Sequence, residues 1–273
     1  MMQIKRRDRL IDLTSYLLGH PNQSVTLKSF MNRYHCAKSS LSKDVTIIKH
    51  NFAARGIGKV KTQVGAIGGV TYFPIVNRQR AQNIIETLIR KLNRSNRKLP
   101  GGYVYMSDLL SQPYLLEQIG KVIATYYIHD SVDIVMTMSG KGIIAASVAR
   151  ALGTPFISAR HHSRISDGAT INVSYFSAYS HQFHNLVLPQ RSLSSGANVL
   201  IVDDYLKGGS TIKGMINLIK AFRCHLSGVA ILADGNNGHP NFDIDYLSLI
   251  RFKPFGQQIR AEVGNLFNNS LAK

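Results

Sequence analysis

The chain has 273 residues, enough for one large domain or two unequal ones, and its 44% apolar content without low-complexity blocks marks a folded protein. Lys and Arg number 33 against 15 Asp and Glu, a net charge of +18 that folding does not need and that suits a polyanionic partner. Cys36 and Cys224 lie far apart without metal-ligand spacing, no apolar run approaches the roughly 18 residues of a membrane span, and the basic start leads into no signal-peptide core; no disulfide framework and no membrane partner are expected, and a cytoplasmic location is predicted.

The charge is concentrated at the start. Residues 1–74 hold 12 Lys/Arg and 3 Asp/Glu, or +9; the remaining residues carry another +9 over more than twice the length. Apolar spacing predicts a first helix over Arg9–Leu18, stopped by Gly19-His20-Pro21-Asn22. Thr26 reads as the N-cap of a second, Leu27–Tyr34. A third runs from Lys38 to Phe52, with Leu41, Val45, Ile48 and Phe52 on one face and Lys38, Ser39, Ser42, Lys43, Thr46 and Lys49 mainly on the other. An apolar back with a short polar and basic front is the pattern of a recognition helix. Two strand-like runs follow, Gly58–Val64 and Gly69–Phe73, joined by Gly65-Ala66-Ile67-Gly68; they make a wing on which Lys59 and Lys61 meet phosphates, as would a basic arm of Lys5, Arg6 and Arg7. Residues 1–74 are therefore expected to be a winged helix-turn-helix domain that binds double-stranded DNA. A small packing or dimerisation module is the plainer alternative.

Residues 75–273 alternate differently. Helices are predicted over Asn77–Asn93, Tyr114–Ile128, Ile143–Leu152 and Ile212–Phe222, and strands over Val132–Met138, Thr154–Ala159, Val199–Val202 and Gly228–Ala233. Leu99-Pro100-Gly101-Gly102 leads into Tyr103–Met106, and Ala169–Phe176 with Phe183–Leu188 suggest a projecting antiparallel arm. Tyr246–Phe252 and Ile259–Phe267 read as strand or short helix. The economical fold is α/β with a mostly parallel sheet.

Two strand-to-helix junctions carry the chemistry. After Val199–Val202 come Asp203 and Asp204, then Lys207-Gly208-Gly209-Ser210-Thr211 opening a helix. Glycines let backbone N–H groups approach an anion, a helix start adds free donors, and paired carboxylates accept hydrogen bonds from a ribose diol or help hold a divalent cation. Ser139-Gly140-Lys141-Gly142 is a second candidate anion loop, weaker alone, with Lys141 as countercharge. His161 and His162, adjacent but without further ligands, read as solvated. No catalytic or metal-binding residue is assigned.

Val199–Thr211 resembles the phosphoribosyl-diphosphate (PRPP) motif of type I phosphoribosyltransferases. From Arg7 to about Phe267 the chain resembles the Gram-positive purine operon repressor family, a winged helix fused to a phosphoribosyltransferase-like domain. The marks are Leu41–Lys49, Leu99-Pro100-Gly101-Gly102-Tyr103-Val104-Tyr105, Val135-Met136-Thr137, Lys141-Gly142, Asn198–Asp204 and Gly214–Leu218. The resemblance implies a dimeric regulator of purine biosynthesis genes that binds their control DNA and lets go when PRPP binds. Guanosine tetraphosphate is a second candidate for the same site; no cofactor is required, and PRPP acts alone or with Mg2+. By matching position, Asp203 and Asp204 would hold the ribose, Lys207–Thr211 the 5′-phosphate, and Thr137 with Ser139–Gly142 the pyrophosphate, with Tyr103 and Arg160 at its edge. Two departures stand out: Gly208-Gly209-Ser210-Thr211 follows the lysine where the family more usually has Ala-Gly-Gly-Thr, and Gly140 stands where a hydroxyl is common. The alternative is a catalytically active purine phosphoribosyltransferase, for which the sequence identifies no base-recognition hood.

Overall fold

A computed structural model describes residues 4–63, 69–94, 96–177, 180–235, 244–255 and 258–268. Its first part consists of α1 (Arg6–Gly19), β1 (Val25–Thr26), α2 (Leu27–Tyr34), α3 (Lys38–Arg55), β2 (Lys59–Thr62) and β3 (Gly69–Phe73). Leu13 and Leu17 of α1, Phe30 and Tyr34 of α2, and Leu41, Val45, Ile48 and Phe52 of α3 form one core with Val60, Val70 and Tyr72 of the strands. The strands pair antiparallel in the order β1-β3-β2. Phe52 meets the Tyr72 ring edge-on at 5.3 Å, which fixes α3 against the wing. This is the expected winged helix, with β1 added; two residues are too few to leave a sequence pattern. The predicted turn Gly65–Gly68 lies outside the described residues.

The basic triplet is not a free arm. Helix α1 starts at Arg6, so Lys5 is its N-cap and Arg6 and Arg7 form its first turn. The cause is Asp44, fully buried in α3, which accepts from Arg6 Nε at 2.9 Å and from Arg9 Nη2 at 2.8 Å. A buried carboxylate needs such partners, and here they tie α1 to α3.

The rest contains α4 (Arg78–Leu92), α5 (Ser107–Leu110), α6 (Pro113–Tyr127), β4 (Ile134–Met138), α7 (Gly142–Leu152), β5 (Phe156–Ala159), β6 (Thr170–Ser177), β7 (Gln182–Pro189), β8 (Asn198–Leu206), α8 (Ser210–Ala221), β9 (His225–Asp234), β10 (Leu247–Phe255) and β11 (Gln258–Val263). Six strands form one sheet in the order β11-β10-β9-β8-β4-β5, parallel except for the β10–β11 pair. Both C-terminal runs are thus strands. Both faces of the sheet are covered, which is why its strands read as continuous apolar runs. Ile85, Leu88, Ile119, Ile123 and Val148 pack one face through α4, α6 and α7. Met215 and Leu218 of α8, with Leu186 of β7, pack the other. Strands β6 and β7 form the expected antiparallel hairpin, but it lies down on α8: a Cβ on Gly214 would strike Tyr175 and Leu186.

The two parts touch at the far end of α7. Asn22 Nδ2 donates to the Ala151 carbonyl at 2.7 Å, a Cβ on Gly153 would run into the Pro21 carbonyl oxygen, and the Arg80 guanidinium donates to the Gly56 carbonyl. Beside these contacts is a cleft of about 520 Å³, lined by Leu18, Pro21 and Tyr72 on one side and Pro113, Leu116 and Ile143 on the other. No helix among the described residues is long and apolar enough to cross a membrane.

Candidate effector site and DNA-facing surface

The sheet order creates a crevice. From β4 the chain crosses to β5 on one side, and from β8 to β9 on the other, so the topological switch point falls between β4 and β8. Strand β8 stays paired with β9 as far as Leu206 opposite Asp234, whereas its pairing with β4 ends at Ile201 opposite Met136. Beyond that point the two strands part, and the last residues of β8, including Asp203 and Asp204, face the opening. Strand β8 therefore runs four residues past the end of the run Val199–Val202, to Leu206, and the acids belong to the strand rather than to a turn.

The anion loops open into the same region. Gly208 and Gly209 both have positive φ, +74° and +80°, a consecutive left-handed pair that admits glycine most readily. Gly209 is the N-cap of α8, so the backbone N–H groups of its first turn point to the loop. Across the crevice Gly140, at φ +89°, turns the chain at the end of β4, and Lys141 caps α7. The Lys141 ammonium spans the gap, 3.1 Å from Asp203 Oδ1 and 2.9 Å from Asp204 Oδ1.

Burial, ahead of the opposing pull of Lys141, pushes the Asp203 carboxyl up to about 7, and the neighbouring Asp204 charge adds to it. Burial lowers the Lys141 ammonium, but the two carboxylates outweigh it and hold the group above its ordinary value. Both directions follow from one arrangement. Lys141 is served by two acids, whereas fully buried Asp203 shares one lysine with Asp204.

A cavity of about 250 Å³ lies here, bordered by Tyr103, Lys141, Asp203, Asp204, Lys207, Gly209 and Thr211 among others. Lys207 donates to the Gly101 carbonyl and stands 4.3 Å over the Tyr103 ring, and Tyr205 Oη donates to the Gly102 carbonyl at 2.8 Å. The Pro100–Gly102 turn is thereby fastened beside the Lys207–Thr211 loop. Tyr205 is itself a wall of the cavity.

Not every expected residue reaches it. Ser139 and Gly140 are exposed in the turn, Gly142 is half-buried at the start of α7, and Gly208 and Ser210 flank Gly209 without lining the cavity. Thr137 is fully buried, its hydroxyl without a hydrogen-bond partner among the described residues. The Arg160 guanidinium is held by Asp167 at 2.9 Å to both carboxylate oxygens, outside the cavity. Among the described residues, no group of three or more His, Cys, Asp or Glu could hold a metal.

The second surface is α3. Lys38, Ser39, Ser42, Lys43, Thr46 and Lys49 are all exposed, opposite the buried face, with Lys59 and Lys61 exposed on β2. Lys61 rests over the Phe73 ring at 5.2 Å, Thr46 Oγ1 donates back to the Ser42 carbonyl, and Lys5, Arg6 and Arg7 are exposed at the start of α1. Asp44 left one signal in the sequence, two arginines, Arg6 and Arg9, three apart on one helix face.

Comparison with known proteins fits both halves. Residues 5–74 match the family described as the bacterial purine repressor N-terminal domain, and residues 106–261 match the phosphoribosyl transferase domain. The purine biosynthesis transcriptional activator PurR of Lactococcus lactis subsp. lactis is 42% identical over 97% of this chain and 100% of its own length. The purine biosynthesis transcriptional repressor PurR of Bacillus subtilis is 38% identical over 100% of this chain and 98% of its own. Among solved structures, adenine phosphoribosyltransferase from Thermoanaerobacter pseudethanolicus superposes with a TM-score of 0.54 at 19% identity, over 60% of this chain and 99% of that one, a likeness of fold alone. With both domains matched in order and relatives aligned end to end, the chain belongs to the bacterial purine repressor family of transcriptional regulators, a winged helix joined to a phosphoribosyltransferase-type α/β domain.

Proposed function

We propose that the chain is a cytoplasmic, homodimeric repressor that binds control DNA of purine biosynthesis genes through α3 and the wing, and that PRPP in the β4–β8 crevice lowers its DNA affinity. The observation that supports this most is the presence, in one chain, of an exposed Lys/Ser face on α3 and, at the sheet's switch point, a cavity bordered by Asp203, Asp204, Lys141, Lys207 and Gly209. In this reading Asp203 and Asp204 accept from the ribose hydroxyls, and the first turn of α8 with Lys207 takes the 5′-phosphate. Lys141, which borders the cavity, meets the diphosphate where it extends toward the Ser139–Gly142 turn, and guanosine tetraphosphate competes for the same donors. The domain works as a sensor: PRPP is bound and released unchanged.

A mobility-shift titration on purine-gene control DNA tests it. DNA affinity should fall as PRPP is added; an unchanged shift at saturating PRPP refutes the effector reading. Incubation with PRPP and purine bases should release no pyrophosphate, and steady release would establish a phosphoribosyltransferase instead.

A further inference from the structure

Phosphoribosyl transfer usually runs with a divalent cation beside the ribose diol and the diphosphate, and such ions are held by carboxylate and water oxygens. In this chain the two carboxylates available for that purpose are already engaged. The Lys141 ammonium lies 3.1 Å from Asp203 Oδ1 and 2.9 Å from Asp204 Oδ1, so a divalent cation between these acids would have to share its position with a positive charge. No other cluster among the described residues offers a replacement set of ligands. The acids therefore do not fit a metal while Lys141 stays.

We propose that Lys141 takes the place of the divalent cation in this site, so that the chain binds its pyrophosphorylated ribose ligand without metal. The inference rests on the PRPP reading above. Its geometry is specific. Left-handed Gly140 ends β4, the Lys141 N–H bonds back to the Met138 carbonyl at 3.1 Å, and the side chain is thereby sent across the crevice to β8. An ammonium has three donors. The ion pairs hold the ammonium between the acids, and its donors suit a diphosphate oxygen as well, because the side chain is only partly buried and borders the cavity. One fixed charge would then orient the diol acids and neutralise the diphosphate, the two tasks a bound cation would otherwise perform.

Calorimetric titration of the full-length protein with PRPP, in EDTA and in excess Mg2+, tests the assignment. Wild-type affinity should agree between the two conditions within about twofold. Lys141→Gln should bind roughly tenfold to a hundredfold more weakly in EDTA and recover in Mg2+, as the cation enters the vacated position. Lys141→Arg should keep metal-independent binding. In parallel, electron paramagnetic resonance with Mn2+ alone should find no ion on the wild type and one on Lys141→Gln. Wild-type binding that requires Mg2+, or Mn2+ bound by the wild type in a manner abolished by Asp203→Asn, overturns the proposal. If PRPP binds in neither condition, the PRPP reading fails and the Mn2+ comparison alone decides whether Lys141 excludes a cation. Should Lys141→Gln not fold, as judged by its melting curve, the wild-type and Lys141→Arg arms still decide.

Discussion

Asp203 is placed where burial and ligand binding pull in opposite directions. Its carboxyl is pushed up to about 7 by burial, against an ordinary value of 3.8. A carboxyl raised on folding stays protonated in the native state while the unfolded chain has ionised. The native state therefore loses stability as pH rises from 3.8 toward 7, and the full penalty persists above that. Asp203→Asn, which mimics the protonated form, is predicted to melt at a higher temperature than the wild type at pH above 7, with the difference disappearing below 3.8. The same variant should lose PRPP binding. Equal melting temperatures at alkaline pH would show that Lys141 compensates the buried charge fully. The sequence showed adjacent acids after an apolar strand and glycines before a helix, enough to place a ligand site. It did not show that Lys141, more than 60 residues upstream, closes on those acids, because cross-strand contacts are set by sheet order and not by local spacing. Asp44 was hidden for a related reason: a charged residue on an apolar face is read as solvated until its partners on another helix are seen.

Among the elements, α3 was the most readable, since residues at 41, 45, 48 and 52 fall on one side of a helix and leave a polar front. The winged helix followed from that periodicity and the strand pair behind it. Elements shorter than a period, such as β1, left no signal, and β8 ran past its apolar run because pairing with β9 continues to Leu206. The exposed front of α3 also carries a prediction. If Lys43 and Lys49 each neutralise a phosphate, Lys43→Ala with Lys49→Ala should reduce the slope of log affinity against log salt by about 2, with the fold retained because both side chains are exposed. Affinity measured at several salt concentrations reads the slope directly, and an unaltered slope would remove both lysines from the interface.

At the scale of the whole molecule, α7 joins the two surfaces. It begins at Gly142, beside the lysine that bridges Asp203 and Asp204, and its last turn is held by Asn22 of the winged helix through the Ala151 carbonyl. Eleven residues at about 1.5 Å each make a rod of roughly 16 Å, short and stiff enough to be displaced as one body. These joints bring together residues 129 positions apart, and no local pattern announced them. A rod fastened at both ends has no preferred direction of traffic. If occupation of the crevice loosens DNA, bound DNA must loosen the occupant by the same factor, because the two affinities close a thermodynamic cycle. The operator would then act as an antagonist of its own inducer. PRPP affinity measured with and without saturating operator should change by the ratio found for DNA affinity with and without PRPP, and unequal ratios would reveal a further binding event outside the cycle.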